Sequence, residues 1–191
     1  MSLPPITTAE ELFAHPDRDR YELVRGRLRV CEPPGGVHGR LAMRLGYLLH
    51  AHVEGHNLGT VLVESGYVLQ RRPDTVRGPD ISFVSRARMT PDQIPEQFIP
   101  GTPDLAIEIL SPDDRPGEIR ERLADYFGAG TRRVWVVDPR GRCIVIHTPE
   151  GRARRLGTSD VLEGEDVVPG FRCAVAEVLG LPAADARETT S

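Results

Sequence analysis

The chain has 191 residues, and its contents of 39% hydrophobic and 27% charged residues are those of a globular domain, not of a fibrous or membrane-embedded protein. Its net charge of -4 argues against a broad, non-specific nucleic-acid-binding surface. All 24 basic residues are arginine, so no step of its chemistry can use a lysine.

The cysteines and the first residues indicate the cellular compartment. Cys31, Cys143 and Cys173 lie far apart and have neither a disulfide framework nor the spacing of zinc ligands. Cys143 lies beside apolar residues and is predicted to be core. The N-terminus lacks the basic and apolar segments of a signal peptide, and no apolar stretch approaches the roughly 20 residues of a membrane span. We therefore expect a cytoplasmic protein with no membrane partner.

The first half of the chain alternates helical and strand patterns. Thr8 is placed to cap a short acidic helix, and Gly55 is placed to end a long one. The predicted elements are a helix over 9–14, strands over 21–24 and 27–31, a helix over 37–54, and strands over 60–70 and 78–84. Although the chain is acidic overall, a local basic cleft formed by Arg71, Arg72 and Arg77 remains open as an alternative.

The second half begins with a segment rich in proline and polar residues, 85–103. Connections longer than about 12–15 residues without regular structure tend to be lids or binding loops, so this one is expected to overhang a site. The elements that follow are a strand over 104–110, a helix over 116–127, a hairpin over 133–146, two or three short strands, and a small helix near 174–179. The pattern predicts an α/β (α+β) domain over 1–181, with a mixed sheet flanked by helices and a disordered tail over 182–191.

Glu108 stands in the most apolar run of the chain, residues 104–110. An ionised carboxylate in such a strand costs on the order of 5 kcal/mol unless an arginine, a shared proton or a metal ion compensates it. Asp80 opens the earlier apolar run, 78–84. If these runs are neighbouring strands about 4.8 Å apart, Asp80 and Glu108 can hold one divalent cation together. Such a site would suit phosphodiester hydrolysis.

Each candidate residue could instead have a structural role. Asp80 follows Gly-Pro and can be a turn residue, and Glu108 can be paired with a buried arginine. Asp104 lies roughly 13 Å along the same strand from Glu108, so the two cannot share an ion, and Asp104 is expected to start the strand. Arg122 lies at the edge of the apolar stripe of its helix and could lean over the sheet toward Glu108, but helical periodicity alone favours an exposed Glu118–Arg122 ion pair of little energetic value.

The histidines give a weaker signal. His50, His52 and His56 suggest a chelating cluster, but such histidines are mostly solvated surface residues. His38 precedes the long helix in a glycine-bounded loop and is better placed to meet a phosphate or an acid.

Several stretches together resemble a known family. They are residues 21–26, His38 at the start of a helix, and residues 78–84, 103–112, 122–126 and 133–139. Glu108-Ile-Leu-Ser-Pro112 and Trp135-Val-Val-Asp-Pro139 are the most specific. In this order and spacing, they resemble the Uma family of restriction endonucleases, within the PD-(D/E)XK nuclease superfamily.

The resemblance implies a restriction-endonuclease-like fold and metal-dependent nuclease activity. It makes Asp80 and Glu108 the ligands of Mg²⁺ or Mn²⁺, and Glu22, the family's early glutamate, a supporting residue. The superfamily lysine two positions after the glutamate is replaced by Leu110, and the position of a substituting helix lysine is Arg122. Arginine can stabilise a phosphate in the transition state but does not readily release a proton.

The leading hypothesis is therefore a Mg²⁺- or Mn²⁺-dependent DNA endonuclease with Asp80, Glu108, Arg122, Glu22 and His38 at its site. One alternative is a catalytically impaired relative that binds nucleic acid or protein. Another is a hydrolase of small phosphate esters. A homodimer would supply the two active sites that many nucleases need to cut both strands.

Overall fold

The computed structural model describes residues 5–182. Within them, the helices are α1 (Ala9–Phe13), α2 (Gly36–Gly55), α3 (Pro116–Gly128) and α4 (Val175–Leu179). The strands are β1 (Tyr21–Val24), β2 (Arg27–Val30), β3 (Gly59–Val63), β4 (Tyr67–Gln70), β5 (Thr75–Arg77), β6 (Ile81–Ser85), β7 (Ile99–Pro100), β8 (Leu105–Ile109), β9 (Arg133–Asp138), β10 (Cys143–His147), β11 (Ala153–Leu156), β12 (Val161–Glu163) and β13 (Arg172–Ala174). Apart from Pro182, the tail predicted to be disordered lies outside the described residues.

A six-stranded mixed sheet, in the order β11-β10-β9-β8-β6-β3, forms the centre of the fold. Its strands β8 and β9 run parallel, and α3 makes the crossover between them, as the element order predicted. Alternate residues of β8 explain the packing, because Ile107 and Ile109 belong to the core that α2 covers, whereas Ala106 packs in the cluster beneath α3. The sheet therefore lies between α2 and α3. A charged side chain of β8 is covered by a helix on whichever face of the sheet it lies.

A five-stranded sheet, in the order β2-β1-β5-β4-β7, lies beside α3. It has a hydrophobic cluster of its own with α1, built on Leu12, Leu23 and Val76. Thr8 caps α1 as predicted, and its side chain accepts a hydrogen bond from the Glu11 amide. Strands β12 and β13 pair with each other in a small third sheet. The mixed sheet flanked by helices is confirmed, but the strands divide among three sheets.

The single strand predicted over 60–70 is wrong. The chain breaks at Glu64, which has a φ of 46°, so β3 ends in the six-stranded sheet and β4 begins in the five-stranded one. Gly66 sits at this crossing, where a Cβ atom would overlap the Phe98 ring.

The prediction that residues 85–103 overhang the two acids is also wrong. Strands β6 and β8 are antiparallel, with Phe83 opposite Leu105, so the connection leaves from the end of the sheet away from Asp80 and Glu108. That end is roughly 10 Å or more from the acids. The segment instead crosses to the five-stranded sheet, which β7 joins, and Phe98 packs edge-on against Phe13.

Within residues 5–182, no helix has both the length and the hydrophobicity that a membrane-spanning segment requires.

Candidate active site

Two acidic residues meet at one end of the six-stranded sheet. In the β6–β8 ladder Ile81 pairs with Ile107 and Ser82 with Ala106. Extending this register by one residue places Asp80 opposite Glu108, on neighbouring strands as the sequence suggested. Since β6 and β8 are central strands of the sheet, the backbone holds the two acids rigidly.

Glu108 is the more buried of the two, and its side chain is 10% exposed. Its Oε1 accepts a hydrogen bond from the Tyr126 hydroxyl at 2.7 Å and a longer one from Arg122 Nη1 at 3.5 Å. Burial, opposed by Arg122 and reinforced by the charge of Asp80, raises the pKa of Glu108 to about 7. Glu108 is therefore partly protonated near neutral pH. A further positive charge nearby would stabilise its ionised form.

Tyr126 was predicted only as part of the apolar face of α3. Burial, together with the charge of Glu108, raises the pKa of Tyr126 well above its ordinary value, so its hydroxyl remains a donor. Its spacing of four residues from Arg122 puts both side chains on the helix face above β8. That spacing was the signal in the sequence from which the pair could have been found.

Asp80 lies one residue before β6, and its side chain turns toward the strand end. Its Oδ2 accepts a hydrogen bond from the Ile109 amide at 2.6 Å and lies 3.1 Å from His38 Nε2. The hydrogen bond with Asp80 outweighs burial and raises the pKa of His38. His38, in the first turn of α2, therefore meets an acid, which was one of the two partners expected for it.

Arg122 leans over the sheet, and the exposed Glu118–Arg122 pair favoured by periodicity alone is wrong. Its side chain is 23% exposed, and its Nη1 lies 2.9 Å from Glu22 Oε1 as well as 3.5 Å from Glu108 Oε1. Although burial lowers the pKa of Arg122, the charges of Glu108 and Glu22 raise it further, so the guanidinium stays charged. Glu22 enters the site from β1 in the five-stranded sheet.

A second buried arginine, Arg77, anchors Glu22. Arg77 Nη1 donates to Glu22 Oε2 at 2.8 Å, and Arg77 Nη2 donates to Asp125 Oδ2 at 2.6 Å. Arg71 pairs with Asp74 and with Glu10 on the surface. Two of the three arginines, Arg71 and Arg77, are thus engaged by carboxylates, so the three do not form the suggested basic cleft.

The remaining candidates lie elsewhere. Asp104 accepts a hydrogen bond from the Ser85 amide at the far end of the sheet. The His52 ring is bonded to the Pro169 carbonyl, and the His56 ring to the His52 carbonyl. Cys143 is buried in the core, as predicted. Within residues 5–182, no group of three or more His, Cys, Asp or Glu side chains forms a metal site.

The donors at the sheet end suit a hard divalent cation. In the described part of the chain, Asp80 Oδ1 and Glu108 Oε2 make no hydrogen bond, and both side chains reach solvent. Mg²⁺ typically takes one or two carboxylates and fills its other positions with water or phosphate oxygens. Three carboxylates, those of Glu22, Glu108 and Asp125, lie within ion-pair distance of Arg77 or Arg122. In the described residues Asp80 pairs with His38 and with no arginine, so its free oxygen remains available to a cation.

Residues 9–176 match the Uma2 family, described as "Putative restriction endonuclease". The structure matches a crystal structure of "a putative nuclease belonging to DUF820" from Anabaena variabilis ATCC 29413, with a TM-score of 0.80 and 18% identity over 92% of this chain and 98% of the other. At that identity the likeness concerns the fold alone. No curated protein matches the sequence. The family match confirms the resemblance noted from the sequence motifs, and the chain belongs to the Uma2 family.

Proposed function

We propose that this protein is a Mg²⁺- or Mn²⁺-dependent endonuclease that hydrolyses phosphodiester bonds in DNA. The observation that carries the proposal is the placement of Asp80 opposite Glu108 at an open sheet end, with the charged Arg122 beside them. The nuclease family of the chain supports the same reaction class.

Two residues of the site would bind the cation, and others hold these two ligands in place. Asp80 and Glu108 hold the cation with the oxygens that have no protein partner. His38 and the Ile109 amide fix Asp80 through its other oxygen, at 3.1 and 2.6 Å. Tyr126 fixes Glu108 in the same way, at 2.7 Å. Each ligand is therefore oriented before substrate arrives, which lowers the cost of binding.

The cation, when bound, would polarise the scissile phosphate and lower the pKa of the attacking water. Arg122 meets the phosphate from the side of α3. In the described residues its hydrogen bonds to protein use Nη1, which leaves Nε and Nη2 to donate to phosphate oxygens. A donor aimed at developing charge typically contributes about 10²–10³-fold to the rate.

Single-turnover cleavage of supercoiled and single-stranded DNA with Mn²⁺ tests the proposal. We expect wild-type protein to cut and Glu108→Ala to be inactive. Glu163→Ala is the matched control, since it removes a partly exposed carboxylate of β12 that pairs with Arg172 in the small third sheet. Cleavage that survives Glu108→Ala would place the activity elsewhere. Turnover of small phosphate esters without cleavage of DNA would show that small esters, and not DNA, are the substrate.

A second candidate, a nucleic-acid- or protein-binding module with impaired catalysis, is favoured by one observation. The chain has no lysine, and arginine stands where a lysine is expected. If this handicaps the enzyme, Arg122→Lys should cleave DNA faster than wild type, because an ammonium group is a compact charge that can release a proton. DNA binding without cleavage by either protein would support the binding module.

Cutting both strands of a duplex calls for two such sites, so a homodimer belongs to the proposal. Light scattering coupled to size-exclusion chromatography, with and without DNA, measures whether two chains associate.

A further inference from the structure

Arg122 is shared unequally between two carboxylates. Its Nη1 atom lies 2.9 Å from Glu22 Oε1 but 3.5 Å from Glu108 Oε1. The second distance is at the outer limit of a hydrogen bond, whereas the first is that of a charge-assisted one. The guanidinium is therefore held mainly by Glu22, and its contact with Glu108 is loose.

Glu22 cannot follow Arg122 toward Glu108, because two other groups hold it. Arg77 Nη1 donates to its Oε2 at 2.8 Å, and the Gly78 amide donates to its Oε1 at 3.1 Å. Arg77 is fixed in turn by two hydrogen bonds to Asp125 Oδ2, at 2.9 and 2.6 Å. The side chains of Glu22, Arg77 and Asp125 are each less than a tenth exposed. The position of the Glu22 charge is thus set by β1, β5 and α3 together.

The spacing matters because a cation and a guanidinium compete for the same carboxylate. An arginine in direct contact with Glu108 would occupy its oxygens and repel a divalent ion at the same place.

We propose that Glu22 is a positioning residue that holds Arg122 back from Glu108 and so keeps Glu108 available to a divalent cation. This inference depends on the proposed function, because it assigns Glu108 to the cation. Glu22 itself contributes no ligand. It acts through Arg122.

Calorimetric titration of the full chain with Mn²⁺ alone tests the idea without measuring catalysis. Glu22→Gln keeps the shape of the side chain but removes its charge, so Arg122 moves toward Glu108, and we expect Mn²⁺ affinity to fall about 10–100-fold. Arg122→Gln should bind Mn²⁺ more tightly than wild type. The double variant, Glu22→Gln with Arg122→Gln, should recover the affinity lost in Glu22→Gln.

The matched control is Glu163→Gln, the same chemical change at a partly exposed residue of β12 that pairs with Arg172 in the small third sheet. It should bind Mn²⁺ as wild type does. A purely structural role for Glu22 predicts a double variant as weak as Glu22→Gln, and that result would overturn the inference.

Unchanged affinity in Glu22→Gln would overturn it as well. If Glu22→Gln does not fold, the Arg122→Gln arm decides, because affinity that fails to rise contradicts the competition. Wild-type protein that binds no Mn²⁺ would instead refute the proposed function.

Discussion

Replacing Glu108 by glutamine should stabilise the metal-free protein at alkaline pH. Burial raises the pKa of Glu108 to about 7, against an ordinary value near 4.5. Between these values the unfolded chain releases the proton and the folded one keeps it, so stability falls as pH rises and the loss is complete above pH 7 or so. The difference corresponds to about 3 kcal/mol. Glutamine still accepts the Tyr126 hydrogen bond and never ionises.

Urea denaturation in the presence of EDTA, followed by the fluorescence of the buried Trp135, measures this effect. The variant should exceed wild type by roughly 1 kcal/mol near pH 5 and by about 3 kcal/mol at pH 8. Glu121→Gln is the control of opposite sign, because its hydrogen bond with Arg25 lowers the pKa of Glu121 and so stabilises the wild type above pH 4.5. Parallel stability curves for wild type and Glu108→Gln would refute the reasoning.

Three further outcomes follow from the same contacts. The thermal stabilisation by Mn²⁺ should grow between pH 6 and 8, since Glu108 must lose its proton to bind the ion, and a melting-temperature shift independent of pH would contradict this. Tyr126→Phe should cost about 1–3 kcal/mol at pH 8, because it removes the 2.7 Å hydrogen bond to a buried carboxylate; equal urea midpoints would show that the bond is unimportant. His38→Ala should weaken Mn²⁺ binding on the order of 10-fold by releasing Asp80, and calorimetry that gives the wild-type affinity would exclude that role for His38.

The acidic pair could be predicted from the sequence because apolar runs mark buried strands. Glu108 lies in one such run and Asp80 opens another, and the antiparallel register brings the two level. The pattern of apolar residues does not show whether two strands are parallel or antiparallel. Residues 85–103 were therefore predicted to lie over the acids, although the connection between these two antiparallel strands leaves from the opposite end of the sheet.

The charged surroundings of the pair could not be predicted from local patterns. Glu22 and Arg122 are separated by 100 residues in the chain and meet only because two sheets pack around α3. Periodicity assigned Arg122 to the helix surface, since it stands at the edge of the apolar stripe. A long side chain at such an edge can point toward solvent or toward the core. Its partner in the tertiary structure determines which direction it takes.

The site draws on two sheets of separate construction. Its acids belong to the central sheet, whereas Glu22 and Arg77 arrive from a sheet with its own hydrophobic cluster around Leu23. Partial opening of the five-stranded sheet, a common kind of low-energy fluctuation in proteins, would leave β6 and β8 paired while freeing Arg122 to move onto Glu108. The proposed activity would then be lost at temperatures where the fluorescence of Trp135 still reports a folded protein.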